Sequence, residues 1–266
     1  MANTPLLECF VPALIDSSAS QPLDDPKLRE QLTLSRENCL TTIYAPFEHI
    51  AGTARLVIVG ITPGAAQANA ALSAARACLR AGLGTADALR IAKQQASFSG
   101  GSTRSNLIGM LDIIGLPALF GIESSGSLFR ADATAVHFTS ALRNPVFWRG
   151  KNYNGTPDMI CTPHLRGMME QGLGEEIEAL PNALWLPLGP KPTAALDHMV
   201  RIGRLERSRV LSGLPHPSGA NNGPIGLFTG RNAPKNAQQR EQAQRLRAAR
   251  EALVNQVQML RAGEDA

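Results

Sequence analysis

The chain has 266 residues, 44% of them hydrophobic and 18% charged, with a formal net charge of +4. This is enough apolar sequence for one sizeable core that hides roughly 70–75% of the unfolded surface, and the mildly basic balance is compatible with a polyanionic partner. Cys9, Cys39, Cys78 and Cys161 contain no C-x-x-C pair, which argues against a zinc ribbon, a metal centre or a disulfide framework and predicts reduced thiols in a cytoplasmic protein. The N-terminus has no basic region ahead of an apolar stretch, and no apolar run reaches the roughly 18 residues of a membrane span, so no membrane partner is expected.

In chain order, the first 45 residues read as an N-terminal appendage, helical or irregular. Four short β-type runs follow: RLVIVG (55–60), ATAVHFT (133–139), ALWLPLG (183–189) and SRVLSGL (208–214). Helical patterns separate them. AAQANAALSAARACLRAGL (65–83) is Ala-rich and is followed by TADALRIAKQQ (85–95), with Thr85 as a candidate N-cap. SNLIGMLDIIGL (105–116) and KPTAALDHMVRIG (191–203) have helical spacing, and a long polar helix is expected over 234–262. Strands alternating with helices predict an α/β fold: a three-layer α/β/α sandwich with a central four-stranded parallel sheet, in one domain spanning 1–266. In such sheets ligands bind beyond the carboxyl ends of the strands.

Three of those strand ends carry unusual loops: GITPGAAQ after the first, TSALRNPVFW (139–148) after the second and HPSGAN after the fourth. GITPGAAQ (60–67) opens a helix after the first strand; its glycines let backbone N–H groups approach a ligand, although an ordinary tight turn is the plainer reading. ASFSGGSTRSN (96–106) sets Phe98 among small residues, where an aromatic ring is either core or a platform for a planar ring. HPSGAN (216–221) puts a histidine on a rigid loop, able to donate a hydrogen bond to a developing anion or to serve structure alone. The end of the third strand, LGPKPTAAL, reads as a plain strand-to-helix turn.

In that order, Gly60-Ile61-Thr62-Pro63-Gly64, Phe98, VHFTSALRNP (136–145), LWLPLGPKPTAAL (184–196) and His216-Pro217-Ser218-Gly219-Ala220-Asn221 resemble the motifs of the uracil-DNA glycosylase superfamily, over roughly residues 55 to 230. The form of GITPG is similar to that of the single-strand-selective and mismatch-type branches. Thr62 stands where those branches carry Asn. Ser140 or Asn144 stands where the superfamily's base-reading Asn is expected. The cysteines of the iron–sulfur branches are missing.

The resemblance implies an enzyme that flips a base out of the helix, stacks it on Phe98, and cleaves its N-glycosidic bond. It implies catalytic roles for Thr62, as the holder of the attacking water, and for His216, as hydrogen-bond donor to the leaving base. Gly60, Ile61, Pro63, Gly64, Gln67, Phe98, Ser140 and Asn144 are the expected substrate contacts. Pro217, Ser218, Gly219, Ala220, Asn221 and Arg149 are the expected DNA contacts. Arg149 lies in NPVFWRGKNYNG (144–155), whose aromatic and basic residues interleave as in single-strand binders, and RIGRLERSR (201–209) is a further candidate for phosphates. Asp132 and Glu48 are spare carboxylates that would assist if they are not surface acids.

With no lysine in the motif loops, hydrolysis without a Schiff base is expected, by a monomer that needs no cofactor. Two rival readings remain open. One is a non-catalytic binder of damaged or single-stranded DNA. The other is an enzyme on free nucleotides or nucleosides that uses GITPG as an anion loop.

Overall fold

The computed structural model describes residues 5–99, 101–130 and 132–264; residues 1–4 of the N-terminal segment and Gly100 of the Phe98 motif lie outside the described residues. Along the chain run α1 (Leu7–Asp16), α2 (Pro26–Gln31), β1 (Thr33–Glu37), β2 (Leu40–Ile43), β3 (Leu56–Gly60), α3 (Ala65–Arg80), α4 (Thr85–Ala96), α5 (Thr103–Ile113), β4 (Val136–Ser140), β5 (Val146–Trp148), β6 (Lys151–Asn152), α6 (Pro163–Ala179), β7 (Leu184–Pro187), α7 (Pro190–Arg201), α8 (Asn222–Thr229) and α9 (Ala237–Glu264). The fold is mixed α/β, with a three-stranded parallel sheet in the order β4-β3-β7 and a separate antiparallel sheet in the order β1-β2-β5-β6. Two compact units divide the chain: Met1–Gly52, Gly60–Ser99 and Phe138–Pro181 form one, and Thr53–Val59, Gly100–His137 and Asn182–Ala266 the other. Among the described residues no helix is long and apolar enough to cross a membrane.

The first unit is built around alanine. Ala68, Ala71, Leu72 and Ala75 of α3 repeat at helical spacing and are fully buried, so the helix offers a narrow, flat face that lets α4 pack closely through Ala88, Leu89, Ala92 and Ala96. Gly82, at φ +83°, turns the chain between the two helices. The cap of α4 is Gly84; Thr85 is instead the first helical residue and hydrogen-bonds Glu8 through its hydroxyl (3.2 Å). Leu7, Leu14, Leu28 and Leu32 of the N-terminal segment join the same core, none more than 1% exposed. Asp25 caps α2 by accepting the N–H groups of Lys27 and Leu28 (3.0 and 3.2 Å), with Pro26 in the first turn.

The antiparallel sheet of this unit falls on segments read from sequence as appendage and loop. Its strands are two to five residues long, too short to show a period of two. β5 and β6 form a hairpin whose two-residue turn, Arg149-Gly150, has both φ angles positive (+50° and +75°), the twist that a tight hairpin demands.

In the second unit Leu56–Val59 of β3, all buried, pair in parallel with Leu184–Pro187 of β7, as expected of apolar runs covered on both faces. The fourth expected strand, 208–214, runs parallel to β7 through two isolated bridges, Trp185 with Val210 and Leu188 with Leu214, and not as a continuous ladder. The reason is local. Arg207–Arg209 form a 3-10 turn, and Gly213, between the bridges, sits at φ +132° with its α-carbon pressed on α9, where a β-carbon would lie 3.1 Å from that of Ala249. Helix α9 buries Ala243, Leu253 and Val257, packs along α8, and is tied to it by Arg250, which donates to the Phe228 carbonyl (3.0 Å).

Candidate functional site

In the first unit, three of the expected residues meet. The position a β-carbon would take on Gly60 lies 3.3 Å from Ser140 Oγ and 3.5 and 3.6 Å from the Cε1 and Cζ atoms of Phe98. Gly60 is therefore needed for close approach: its missing side chain lets the Phe98 ring and the Ser140 hydroxyl share the end of β3. Phe98 follows α4 at φ +52°, a left-handed conformation that costs an aromatic residue about 1–3 kcal/mol and is of the kind that clusters at functional sites. Its ring is 7% exposed and meets Phe138 edge-on at 5.8 Å. The backbone N–H groups of Ala141 and Leu142 donate to the carbonyls of Gly60 and Ile61 (2.8 and 2.9 Å), which ties the two strand ends together.

Thr62 has a different task from the one its position suggests. Its hydroxyl donates to the Asn144 carbonyl (2.9 Å) and accepts the Val146 N–H (3.2 Å). The one proton it owns is committed to backbone, leaving a lone pair that can only accept from a water. Pro63 is buried. The N–H groups at the start of α3 are occupied as well. Gln67 Oε1 accepts that of Gly64 (3.2 Å), and Asn152 Oδ1 accepts that of Ala65 (3.0 Å). Asn152 also lies 3.3 Å from the β-carbon position of Gly64. Thus the hairpin β5–β6 is anchored on GITPG at both ends, through Val146 and Asn152. At its tip the Arg149 guanidinium lies over the Trp148 ring at 5.4 Å, and Arg149 and Lys151 are exposed.

Behind Ser140 lies a buried charge network that sequence reading missed. Glu176 of α6 has no exposure, and its Oε1 accepts from Thr139 Oγ1 (3.0 Å) and Arg143 Nε (3.3 Å), with Lys93 Nζ at 3.9 Å. Lys93, 4% exposed, donates to the His49 carbonyl (2.6 Å). Burial pushes its ammonium down to about 8, with Glu176 opposing. Arg143 also binds Glu175 (2.8 Å) and the Gly172 carbonyl (2.8 Å). The segment from Thr139 to Arg143, which carries Ser140 and leads to Asn144, is fixed at both ends by one carboxylate. Neither spare carboxylate joins a site: Asp132 is an exposed partner of Arg130 (3.1 Å), and Glu48 holds the Leu7 N–H (2.9 Å) and the Tyr44 hydroxyl (3.1 Å).

In the second unit, Nδ1 of His216 accepts the Ser218 N–H (3.2 Å). A donor aimed at Nδ1 requires its lone pair, so the ring proton sits on Nε2. Burial lowers the imidazole pKa, which keeps the ring neutral near pH 7. Gly189 makes room for it: at φ +88°, its β-carbon position lies 3.3 Å from His216 Cβ and 3.4 Å from His216 N, so the strand-to-helix turn that reads as plain is shaped around the histidine. The rest of the loop is braced from within. Asn221 donates to Ser218 Oγ (3.1 Å), and Asn106 Nδ2 donates to the Pro217 carbonyl (3.0 Å) and Asn222 Oδ1 (3.3 Å). Gly219 and Ala220 stay exposed at the tip, with the β-carbon position of Gly219 3.3 Å from Ser102 Oγ. The arginines of 201–209 are engaged locally: Arg207 pairs with Asp197 (2.6 Å) and Arg209 with Glu206 (3.5 Å). No group of three or more His, Cys, Asp or Glu residues is arranged to hold a metal ion among the described residues.

The chain is similar to the uncharacterized protein YoxB of Bacillus subtilis (strain 168), with 36% identity over 225 residues that cover 84% of this chain and 86% of that protein. No family model matches the chain, and no solved structure matches it.

Proposed function

The chain belongs to the family of YoxB, and we propose that it is a monofunctional DNA glycosylase that releases uracil or another deaminated base by hydrolysis of the N-glycosidic bond. The observation that carries this reading is His216, a neutral imidazole with its only proton directed from Nε2 by the Ser218 N–H on Nδ1. When the bond between sugar and base breaks, its electron pair stays on the base and charge gathers on a carbonyl oxygen. A neutral, pre-aimed N–H stabilises that charge in the transition state, and losing one such donor costs about 10²–10³ in rate. Water adds to the sugar carbon, its proton is released as the base is protonated, and an abasic site remains.

Phe98 and Ser140, drawn together on Gly60, would stack on the flipped base and read its edge. Gly219 and Ala220 at the exposed loop tip, with Arg149 on the hairpin, would contact the DNA. The same reading counts 208–214 as the fourth parallel strand of a three-layer sandwich, for which the two bridges to β7 speak. It has the protein act as a cytoplasmic monomer without a cofactor.

Thr62 favours a second reading. Its hydroxyl proton belongs to the Asn144 carbonyl, so it orients a water by accepting only and cannot remove a proton. A non-catalytic binder of damaged or single-stranded DNA would retain every other feature. The two are separated by single-turnover assays on labelled single- and double-stranded oligonucleotides carrying uracil, hypoxanthine, xanthine or a mismatch, developed by alkaline cleavage. Base release that falls at least about tenfold in His216→Ala supports the enzyme. Tight binding to an abasic oligonucleotide, with no release from any substrate by either the parent or Thr62→Asn, replaces the enzyme with the binder.

A further inference from the structure

The segment from Arg231 to Arg250 carries six cations, Arg231, Lys235, Arg240, Arg245, Arg247 and Arg250, against one acid, Glu241. Three of the six are engaged at home. Arg250 holds the Phe228 carbonyl, Arg231 bonds Thr229 Oγ1 (3.1 Å), and Arg245 pairs with Glu241. Arg240 and Arg247 are exposed and make no ion pair among the described residues. They flank a groove of about 440 Å³ along α9, lined also by Pro234, Ala243, Gln244 and Ala248. Positions 240, 244 and 247 fall on one face of a helix. The small, exposed side chain of Ala248 lets a ligand come close to the helix surface beside the two guanidinium groups. Glu251, one turn beyond Arg247, ends the basic track.

We propose that this face of α9 is a docking surface for the sugar–phosphate backbone of DNA, with Arg240 and Arg247 as phosphate contacts and Gln244 as a hydrogen-bond donor between them. The inference rests on DNA being the partner, as read above. Seven residues of helix span about 10 Å, equal to the axial rise of about three base-pair steps of duplex at about 3.4 Å each. Guanidinium groups bind phosphate through paired N–H donors, and several such contacts add up to salt-sensitive, sequence-independent affinity.

The geometry favours DNA over an anionic membrane, because a helix that lies in a membrane interface must bury an apolar face there. The apolar face of α9, with Ala243, Leu253 and Val257, is already buried within its own unit. The groove is also carried on the same unit as the His216 loop, since α8 begins where that loop ends and packs on α9. With Arg207 and Arg209 paired to acids, α9 supplies the cations that the 201–209 segment does not.

The test is fluorescence anisotropy of the full chain with a labelled 20-mer duplex carrying an abasic site, titrated between 50 and 200 mM salt. Two lost phosphate contacts should flatten the slope of log K against log salt by about 2 in Arg240→Gln/Arg247→Gln, with binding at least about tenfold weaker at low salt. Arg245→Gln removes a cation that is already paired and should leave the slope unchanged. An equal effect in both variants would mean net charge alone is sensed and would overturn the site. An unchanged slope in the double variant, while the parent binds, overturns the inference and leaves the glycosylase reading intact. Failure of the parent to bind at any salt overturns that reading and the inference with it. Sedimentation with phosphatidylserine vesicles that the double variant loses would reassign the face to membranes and overturn the proposal.

Discussion

Replacing Glu176 with Gln removes one buried negative charge and little else. The carboxamide keeps an acceptor for Thr139 Oγ1, which donates at 3.0 Å in the parent. Lost is the attraction for Lys93 Nζ at 3.9 Å and Arg143 Nε at 3.3 Å, each worth about 4–5 kcal/mol gross at an effective dielectric constant of 20. Arg143 keeps Glu175, so Lys93 bears most of the damage: an ammonium 4% exposed without its counter-charge. Stranding one member of a buried pair costs about 3–5 kcal/mol if its charge is kept, but with Lys93 at about 8 its proton can leave at pH 7 for about 1.4 kcal/mol, so the expected loss at pH 7 is about 1–2 kcal/mol.

The pH dependence gives the reasoning a second edge. Burial holds Lys93 at about 8 in the fold, below its ordinary value near 10.4. Between these values the unfolded chain holds the proton and the folded chain does not, so this lysine makes stability rise with pH across that window. Without Glu176 the folded value drops further, and the variant regains stability at a lower pH by releasing the proton. The gap between parent and variant therefore narrows from pH 7 to pH 9.5. Of the other groups that bear on Lys93, Arg143 keeps its charge throughout that range, and Glu48 has its carboxyl pKa raised by burial. Urea denaturation followed by circular dichroism at the two pH values measures the gap. A loss under about 0.5 kcal/mol at pH 7, or one that widens toward pH 9.5, would refute the account.

Three further outcomes are expected. Gly189→Ala meets both a left-handed backbone and the His216 backbone at 3.4 Å; it should cost about 1–3 kcal/mol and displace the histidine, seen as a lowered thermal midpoint together with a changed His216 resonance. Asn152→Ala strips the acceptor from the Ala65 N–H and should cost about 1 kcal/mol, while Asn152→Asp retains the cap and most of the stability in the same denaturation assay. The His216 ring, followed by NMR, should titrate below the usual histidine range because burial disfavours its charged form. The unfolded chain then takes the proton first, so this group's contribution to stability is lost as pH falls from about 6.5 toward the folded value; a His216 that titrates above 6.5 would contradict the neutral donor.

Local pattern by itself determined the apolar strands β3 and β7, the alanine faces of α3 and α4, and the long polar helix α9, because burial on one face imposes a period that neighbouring residues record. It also isolated Gly60, Phe98 and His216, since glycine, proline and an aromatic among small residues are conspicuous within a few positions of each other. Helix α6 was missed although Leu165, Met169, Leu173 and Ile177 recur every four residues, because Gly167, Gly172 and Gly174 dilute its helical signal. The antiparallel sheet was hidden because strands of two to five residues gain their order only from partners far along the chain.

Tertiary structure alone decided what each polar group does. Thr62 reaches across 82 residues to the Asn144 carbonyl, Asn152 across 87 to the Ala65 N–H, and Thr139 across 37 to Glu176. A side chain's chemistry is legible in sequence, but its hydrogen bonds are not: a hydroxyl or carboxamide has a handful of donors and acceptors to assign, and which partner takes them depends on folding that brings distant backbone within 3 Å.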